Sequence, residues 1–146
     1  MKSWLKSLPA KDVAKVTESN IKFEENKSKI VFENKGNKTC YKINVDGGAV
    51  TDNELRCDKM LVDEALAAFY YVELKGENIE HAIKQLEASL KRPALTPVCA
   101  KSKTSIAVGK NHFPKTSTLI QRNVKLFKKA YGATLEVLST PARKSI

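Results

Sequence analysis

The residues of this chain with the clearest chemical potential are two acids and a lysine, Asp58, Glu73 and Lys75. Each acid falls in a segment with the composition of a β-strand, residues 55–62 for Asp58 and residues 69–75 for Glu73. Charged side chains inside strands are costly to bury unless they are paired or coordinate a cation. If the two segments pair as neighbouring strands, we expect the carboxylates to converge on one point. Two converging carboxylates form an oxygen-donor site suited to magnesium or manganese.

Side-chain alternation places Glu73 and Lys75 on the same face of the sheet. Successive strand residues point to opposite faces, so Phe69, Tyr71, Glu73 and Lys75 share a face, and Tyr70, Val72 and Leu74 share the other. A structural alternative is a salt bridge between Lys75 and either acid. Because two acids face one lysine, that alternative leaves an acid uncompensated, and a cation would satisfy it.

The pattern Asp58, then Glu73-Leu74-Lys75, resembles the D…(D/E)-x-K signature of the PD-(D/E)XK nuclease superfamily. The resemblance covers roughly residues 18–110 and implies a restriction-endonuclease-like core. It implies that Asp58 and Glu73 are metal ligands for magnesium or manganese. It also implies that Lys75 is the catalytic lysine, which positions or activates the attacking water. Cys57 stands where the signature has proline.

The same resemblance implies two further contributions to the site. Members of the superfamily usually supply an acid from an N-terminal helix, and Glu18, Glu24, Glu25 and Glu33 compete for that role. In several members a glutamine in the helix after the lysine reaches toward the active site. Gln85 is the candidate here, because it lies at the edge of the apolar stripe of a predicted helix. The alternative for Gln85 is an ordinary surface amide.

The charge of the chain is strongly asymmetric. Residues 1–90 hold 14 lysines and arginines against 15 acids, whereas residues 91–146 hold 12 against the single acid Glu136. The net charge of +10 therefore comes entirely from the last third of the chain. A positive field of this size favours a polyanion, and nucleic acid is the expected partner. The resemblance to nucleases favours DNA over RNA. The alternative is a solvated basic surface that aids solubility.

Four basic residues are the candidate nucleic-acid contacts: Lys115, Arg122, Lys125 and Lys129. The last three recur at i, i+3 and i+7 along a predicted helix that is capped by Thr116 or Ser117 and ends at Tyr131 before Gly132. That spacing places them on one helical face, where they could follow a phosphate backbone. Any lysine-rich solvent-exposed face has the same pattern.

Composition excludes several other classes of protein. The length of 146 residues, with 42% hydrophobic and 29% charged residues, is typical of a single globular domain. The longest apolar run, residues 65–72, is too short to cross a bilayer, so we expect no membrane partner. Three cysteines without a close pair disfavour a disulfide framework and a zinc site, and indicate a reducing, cytoplasmic environment. With only two histidines, a histidine metal site or a Ser-His triad is disfavoured.

The predicted elements run helix, four strands, helix, strand, helix, strand. This order indicates an α/β fold with a mixed central sheet of about four to six strands flanked by helices. We predict one domain over residues 1–140 and a flexible basic tail over 141–146. The strands at 29–34 and 39–46 are predicted to form a hairpin through the turn at 35–37. Asp46 precedes two glycines, which favours turn chemistry over a further acid at the metal.

These features predict metal-dependent hydrolysis of phosphodiester bonds in nucleic acid, most simply as a magnesium-dependent endonuclease. Two alternatives from other classes remain. One is a non-catalytic nucleic-acid-binding module that keeps the scaffold, and the other is an interaction protein whose basic face binds an acidic partner. A homodimer or a partner subunit is compatible with the sequence.

Overall fold

The computed structural model describes residues 1–74, 78–110 and 117–146. Within these ranges the chain forms three α-helices, a short 3-10 helix at Ala10–Asp12 and nine strands. The helices are α1 (Lys2–Lys6), α2 (Ile79–Lys91) and α3 (Thr118–Tyr131). The strands are β1 (Val13–Val16), β2 (Asn20–Glu25), β3 (Ser28–Glu33), β4 (Cys40–Asn44), β5 (Lys59–Asp63), β6 (Ala68–Leu74), β7 (Ser102–Gly109), β8 (Ala133–Ser139) and β9 (Ala142–Ser145).

A mixed six-stranded sheet is the centre of the fold, in the order β1-β4-β5-β6-β7-β8. Neighbouring strands are antiparallel among β1, β4, β5 and β6 and parallel among β6, β7 and β8. The change follows from the connections: a tight turn joins β5 to β6, whereas α2 and α3 each carry the chain back to start a parallel strand. The prediction of an α/β fold with a mixed sheet is confirmed.

Different layers cover the two faces of this sheet. On one face Met60, Phe69 and Tyr71 pack with Leu86 of α2 and Phe127 of α3. On the other face, Leu61 of β5 and Val72 and Leu74 of β6 pack against the three-stranded sheet β2-β3-β9. That sheet contributes Ile21 and Phe32 to the contact. The predicted alternation along β6 is therefore confirmed for its described residues. Helices flank only one face, because a second sheet replaces them on the other.

The predicted hairpin between residues 29–34 and 39–46 is wrong. β3 pairs with β2, and β4 pairs with β1 and β5, so the two segments lie in different sheets. The turn that forms is at Asn26 and Lys27, which have φ values of 52° and 62°. Two successive residues with positive φ suit the two-residue turn whose twist matches that of a hairpin.

The predicted flexible tail is also wrong. Residues Ala142–Ser145 form β9, which pairs in parallel with β3. The basic side chains that suggested disorder each meet an acid: Arg143 lies 3.3 Å from Glu33, and Lys144 lies 2.8 Å from Glu136. These charges join the last strand to β3 and β8.

The helices that flank the candidate site are confirmed with their caps. Asn78 Oδ1 accepts a hydrogen bond from the His81 N–H at 3.0 Å to begin α2, and Ser117 Oγ accepts one from the Ile120 N–H at 3.2 Å to begin α3. Gly132 ends α3 with a φ of 60°. The strand predicted at 55–62 starts later, since β5 begins at Lys59 and Asp58 immediately precedes it.

Candidate active site

Asp58 and Glu73 lie close together where β5 begins and β6 ends, since Asp58 Oδ2 contacts the N–H of the residue after Glu73. The last pair in the antiparallel register of β5 and β6 is Lys59 with Val72, and Asp58 immediately precedes it. The Asp58 N–H donates to the Val72 carbonyl at 3.1 Å, one residue out of that register. Both acids are buried, with relative exposures of 4% and 0%. The structure therefore brings together the two acids that the sequence selected.

Hydrogen bonds hold the Asp58 carboxylate and its backbone in place. Asp58 Oδ2 accepts from the Leu74 N–H at 2.8 Å. The Asp58 carbonyl accepts from the N–H groups of Val45 and Asp46 at 3.0 and 3.2 Å. Contacts of this kind fix the carboxylate before any ligand binds, as a binding or catalytic site requires.

Asp46 stabilises a turn, which is the role that the sequence favoured over a metal ligand. Its carboxylate accepts from Arg56 Nε at 2.9 Å and lies 2.8 Å from Arg56 Nη2. A bridge links Asp46 to Val50 around Gly47, whose φ is 76°. Asp46 thus pairs with Arg56 and closes the loop that follows β4.

Gln85 is a partly buried residue of α2 with a specific contact. Its Nε2 donates to the Arg56 carbonyl at 3.3 Å, two residues before Asp58. Its Oε1 is buried and has no hydrogen-bond partner among the described residues. The surface-amide alternative is therefore wrong, and Gln85 contacts the backbone that leads into the site.

Cys57 is a neutral structural residue beside the two acids. Burial raises the pKa of its thiol to about 12, and the charges of Glu73 and Asp58 act in the same direction. A thiol with this pKa stays protonated at neutral pH, so it is neither a nucleophile nor a thiolate ligand. Its backbone N–H donates to Ser89 Oγ at 2.7 Å. Ser89 is not among the residues predicted from the sequence, although its position one turn after Gln85 on the buried side of α2 was available as a signal.

Glu25 is the N-terminal acid that contacts the residue next to Asp58 in sequence. Its carboxylate lies 3.6 Å from Lys59 Nζ, next to Asp58 in sequence. Asn26, in the same hairpin turn, donates from Nδ2 to the Leu74 carbonyl at 3.3 Å. The other candidates are accounted for elsewhere: Glu24 lies 3.7 Å from Lys22, Glu33 pairs with Arg143, and Glu18 is exposed in the connection between β1 and β2. None of the four lies on a helix, contrary to the expectation from the resemblance.

The basic candidates divide into described and undescribed residues. Lys75 and Lys115 lie outside the described residues. Arg122, Lys125 and Lys129 are exposed on α3, and Lys128 adds to the same helix. β8 begins immediately after α3 ends, at the end of the sheet away from Asp58 and Glu73. The first turns of α3, with Arg122, therefore lie nearer to the two acids than Lys129 does.

A groove of about 450 Å³ opens on the sheet face opposite α2, at the edge where β4 ends and β5 begins. Phe23 and Asn44 line it together with four lysines and two acids. These are Lys11, Lys22, Lys42, Lys59, Asp12 and Glu24. Burial lowers the pKa of Lys42, and Lys59 and Lys22 also lower it, while Glu18 opposes them. Since acids offset the lysines here, α3 remains the more strongly basic surface.

The donor set for a metal is a pair of carboxylates. Among residues 1–74, 78–110 and 117–146, no group of three or more His, Cys, Asp or Glu is placed to hold a metal ion. Asp58 and Glu73 nevertheless fit magnesium, which commonly binds proteins through one or two carboxylates and keeps several of its waters.

Comparison with protein-family models, with curated proteins and with solved structures finds no match to this chain. No described helix is long and apolar enough to cross a membrane. A function for this chain is therefore inferred from the geometry of the two acids and from the charge of the surfaces around them.

Proposed function

We propose that this protein hydrolyses phosphodiester bonds in nucleic acid, most simply DNA, with magnesium or manganese as cofactor. The observation that carries the proposal is the proximity of two buried acids where β5 begins and β6 ends, with Asp58 Oδ2 bound to the N–H of the residue that follows Glu73. Two buried carboxylates near each other form an oxygen-donor pair of the kind through which proteins bind magnesium.

The order of the elements supports a restriction-endonuclease-like core. Three antiparallel strands (β4, β5 and β6) are followed by α2 and by the parallel strand β7. Asp58 immediately precedes the second of these strands, and Glu73 lies on the third. Fold similarity alone would not establish an activity, so the proposal depends on the site itself.

Each residue of the site has a proposed role. Asp58 and Glu73 hold the metal, and the Leu74 N–H keeps the Asp58 carboxylate oriented. A bound magnesium ion would supply positive charge next to the scissile phosphate and make water more acidic. Lys75, which follows Glu73 by two residues, is proposed to position the attacking water through its ammonium group. Gln85 is proposed to support the segment that leads into Asp58.

The first test compares wild type with Asp58→Asn. We expect calorimetric titration to show manganese and magnesium binding to wild type and none to the variant, because the amide removes the charge and keeps the shape. Plasmid and single-stranded DNA incubated with the same preparations should be cleaved only by wild type. Absence of metal binding and cleavage in both proteins, with equal DNA affinity, would instead identify a non-catalytic nucleic-acid-binding module. The observation that favours this second function is that no group of three or more metal-binding side chains is found among the described residues.

The basic face of α3 is the proposed contact with the phosphate backbone. Replacing Arg122, Lys125 and Lys129 together by alanine should lower the slope of log affinity against log salt by up to about 2.7, which is about 0.9 for each phosphate that the protein no longer neutralises. The measurement is fluorescence anisotropy of a labelled DNA duplex at several salt concentrations. A matched control replaces three exposed lysines outside α3: Lys2, Lys6 and Lys35. Equal slopes for the two triple variants would exclude α3 as the DNA-binding face.

A further inference from the structure

The backbone that carries Asp58 lies outside the regular sheet. β5 begins only at Lys59, and the residues from 51 to 57 form no helix or strand. The position of the Asp58 carboxylate depends on how firmly this backbone is held. Side chains that fix the segment therefore affect the proposed metal site.

Two side chains of α2 bind the backbone just before Asp58. Gln85 Nε2 donates to the Arg56 carbonyl at 3.3 Å, and Ser89 Oγ accepts from the Cys57 N–H at 2.7 Å. Gln85 and Ser89 are four residues apart and so lie on the same face of the helix. The Ser89 bond is the shorter of the two, and Ser89 and Cys57 are both fully buried.

Ser89 is itself fixed by neighbours that lead to the second acid. Its hydroxyl donates to the Gln85 carbonyl at 3.1 Å, and its carbonyl accepts from Thr96 Oγ1 at 3.0 Å. The Thr96 hydroxyl lies 2.8 Å from the hydroxyl of Tyr71, two residues before Glu73 on β6. Close polar contacts thus join the strand of Glu73 to the segment of Asp58 through Ser89, and the Tyr71 hydroxyl also lies 3.1 Å from the Leu95 carbonyl.

We propose that Ser89 is a positioning residue for the metal site. By holding the Cys57 N–H, Ser89 sets the distance and orientation between the Asp58 and Glu73 carboxylates and thereby the affinity for a divalent cation. This inference rests on the function proposed above. Without the hydroxyl, the buried Cys57 N–H loses its acceptor, and the segment shifts because an unsatisfied buried donor is unfavourable.

The test measures manganese affinity by calorimetry, at a temperature well below the unfolding midpoint of each variant. Ser89→Ala should bind manganese about 10- to 100-fold more weakly than wild type, the usual effect of removing a group that orients a metal ligand. Ser89→Thr, which keeps a hydroxyl, should restore most of the affinity. Ser105→Ala is the matched control, because Ser105 is also fully buried and its hydroxyl has no hydrogen-bond partner among the described residues. It should bind manganese like wild type.

Thr96→Val provides a second variant in case Ser89→Ala does not fold. It removes the hydroxyl that contacts the Ser89 carbonyl and Tyr71, and it should weaken manganese binding in the same direction by a smaller factor. Affinity within about twofold of wild type in a folded Ser89→Ala protein, or in Thr96→Val if the first is unfolded, would overturn the positioning role and leave the proposed function intact. Failure of wild type itself to bind manganese would overturn both.

Discussion

If the protein has the function proposed above, Glu73→Gln is expected to abolish any magnesium-dependent stabilisation of the folded protein. It should also lower DNA cleavage by at least about 100-fold, the loss typical when one transition-state electrostatic interaction is removed. Glutamine has almost the same size and shape as glutamate, so the buried position on β6 stays filled. What is lost is the negative charge near Asp58. A single remaining carboxylate is a poor site for a cation that must give up part of its hydration.

The magnitude follows from linkage between binding and folding. A ligand that binds only the native state adds about 2.7 kcal/mol of stability at a concentration of 100 times its Kd. For a chain of this length that corresponds to an increase in Tm of roughly 5–10 °C. Thermal unfolding followed by circular dichroism, with magnesium and with chelator, measures the shift in wild type and its absence in Glu73→Gln.

Glu80→Gln is the appropriate control for this experiment. Glu80 is an exposed acid in the first turn of α2, on the side of the molecule where β6 ends. Its removal changes the net charge by the same amount and leaves the pair intact. Glu80→Gln should retain the magnesium-dependent increase in Tm. A full increase in Glu73→Gln as well would mean that magnesium binds elsewhere.

Lys38→Met is expected to cause the largest loss of stability, about 3 kcal/mol, corresponding to a decrease in Tm of roughly 6–12 °C. Lys38 Nζ lies 2.8 Å from Asp63 Oδ2, and the Asp63 side chain is fully buried at the end of β5. Removing the lysine leaves a buried carboxylate without its countercharge, which is far more costly than losing an exposed ion pair. Chemical denaturation of the variant and of wild type measures the difference in unfolding free energy.

A double variant separates the charge effect from general damage. Asp63 Oδ1 also accepts from the Leu66 N–H at 3.3 Å, and asparagine keeps that acceptor without the charge. Lys38→Met with Asp63→Asn should therefore recover a large part of the stability lost in the single variant. Lys22→Met, which breaks the exposed pair with Glu24, should change the unfolding free energy by less than about 1 kcal/mol. Equal losses in Lys38→Met and Lys22→Met would show that the Asp63 pair is not a buried-charge interaction.

The sequence predicted the parts of this site that depend on local spacing. The alternation through Tyr71 and Glu73, the cap at Asn78 and the helix after it are set by residues close together in the chain. The proximity of Asp58 and Glu73 was predictable because β5 and β6 are joined by a short turn, which makes them neighbouring strands. The start of β5 was predicted too early, since the sequence does not show where pairing ends.

The features that were missed depend on partners distant in sequence. Asn26-Lys27 contains no glycine, so the turn between β2 and β3 lacked the usual signal. β9 forms because β3 offers a free edge and acids for Arg143 and Lys144, neither of which can be recognised within residues 141–146. Ser89 gains its importance from a contact with Cys57 32 positions away. A single sequence does not carry that information.

The pairing of β9 with β3 has a consequence for biosynthesis. β3 ends at Glu33 and its partner begins at Ala142, so 109 residues must be added before the outer edge of β3 can be covered. At about 5–20 residues per second, the edge stays open for roughly 5–20 s on the ribosome. Unpaired strand edges recruit other chains. The three-stranded layer is therefore the part of the molecule most exposed to misassembly during translation, and slow elongation through the second half of the message should lower the yield of native protein.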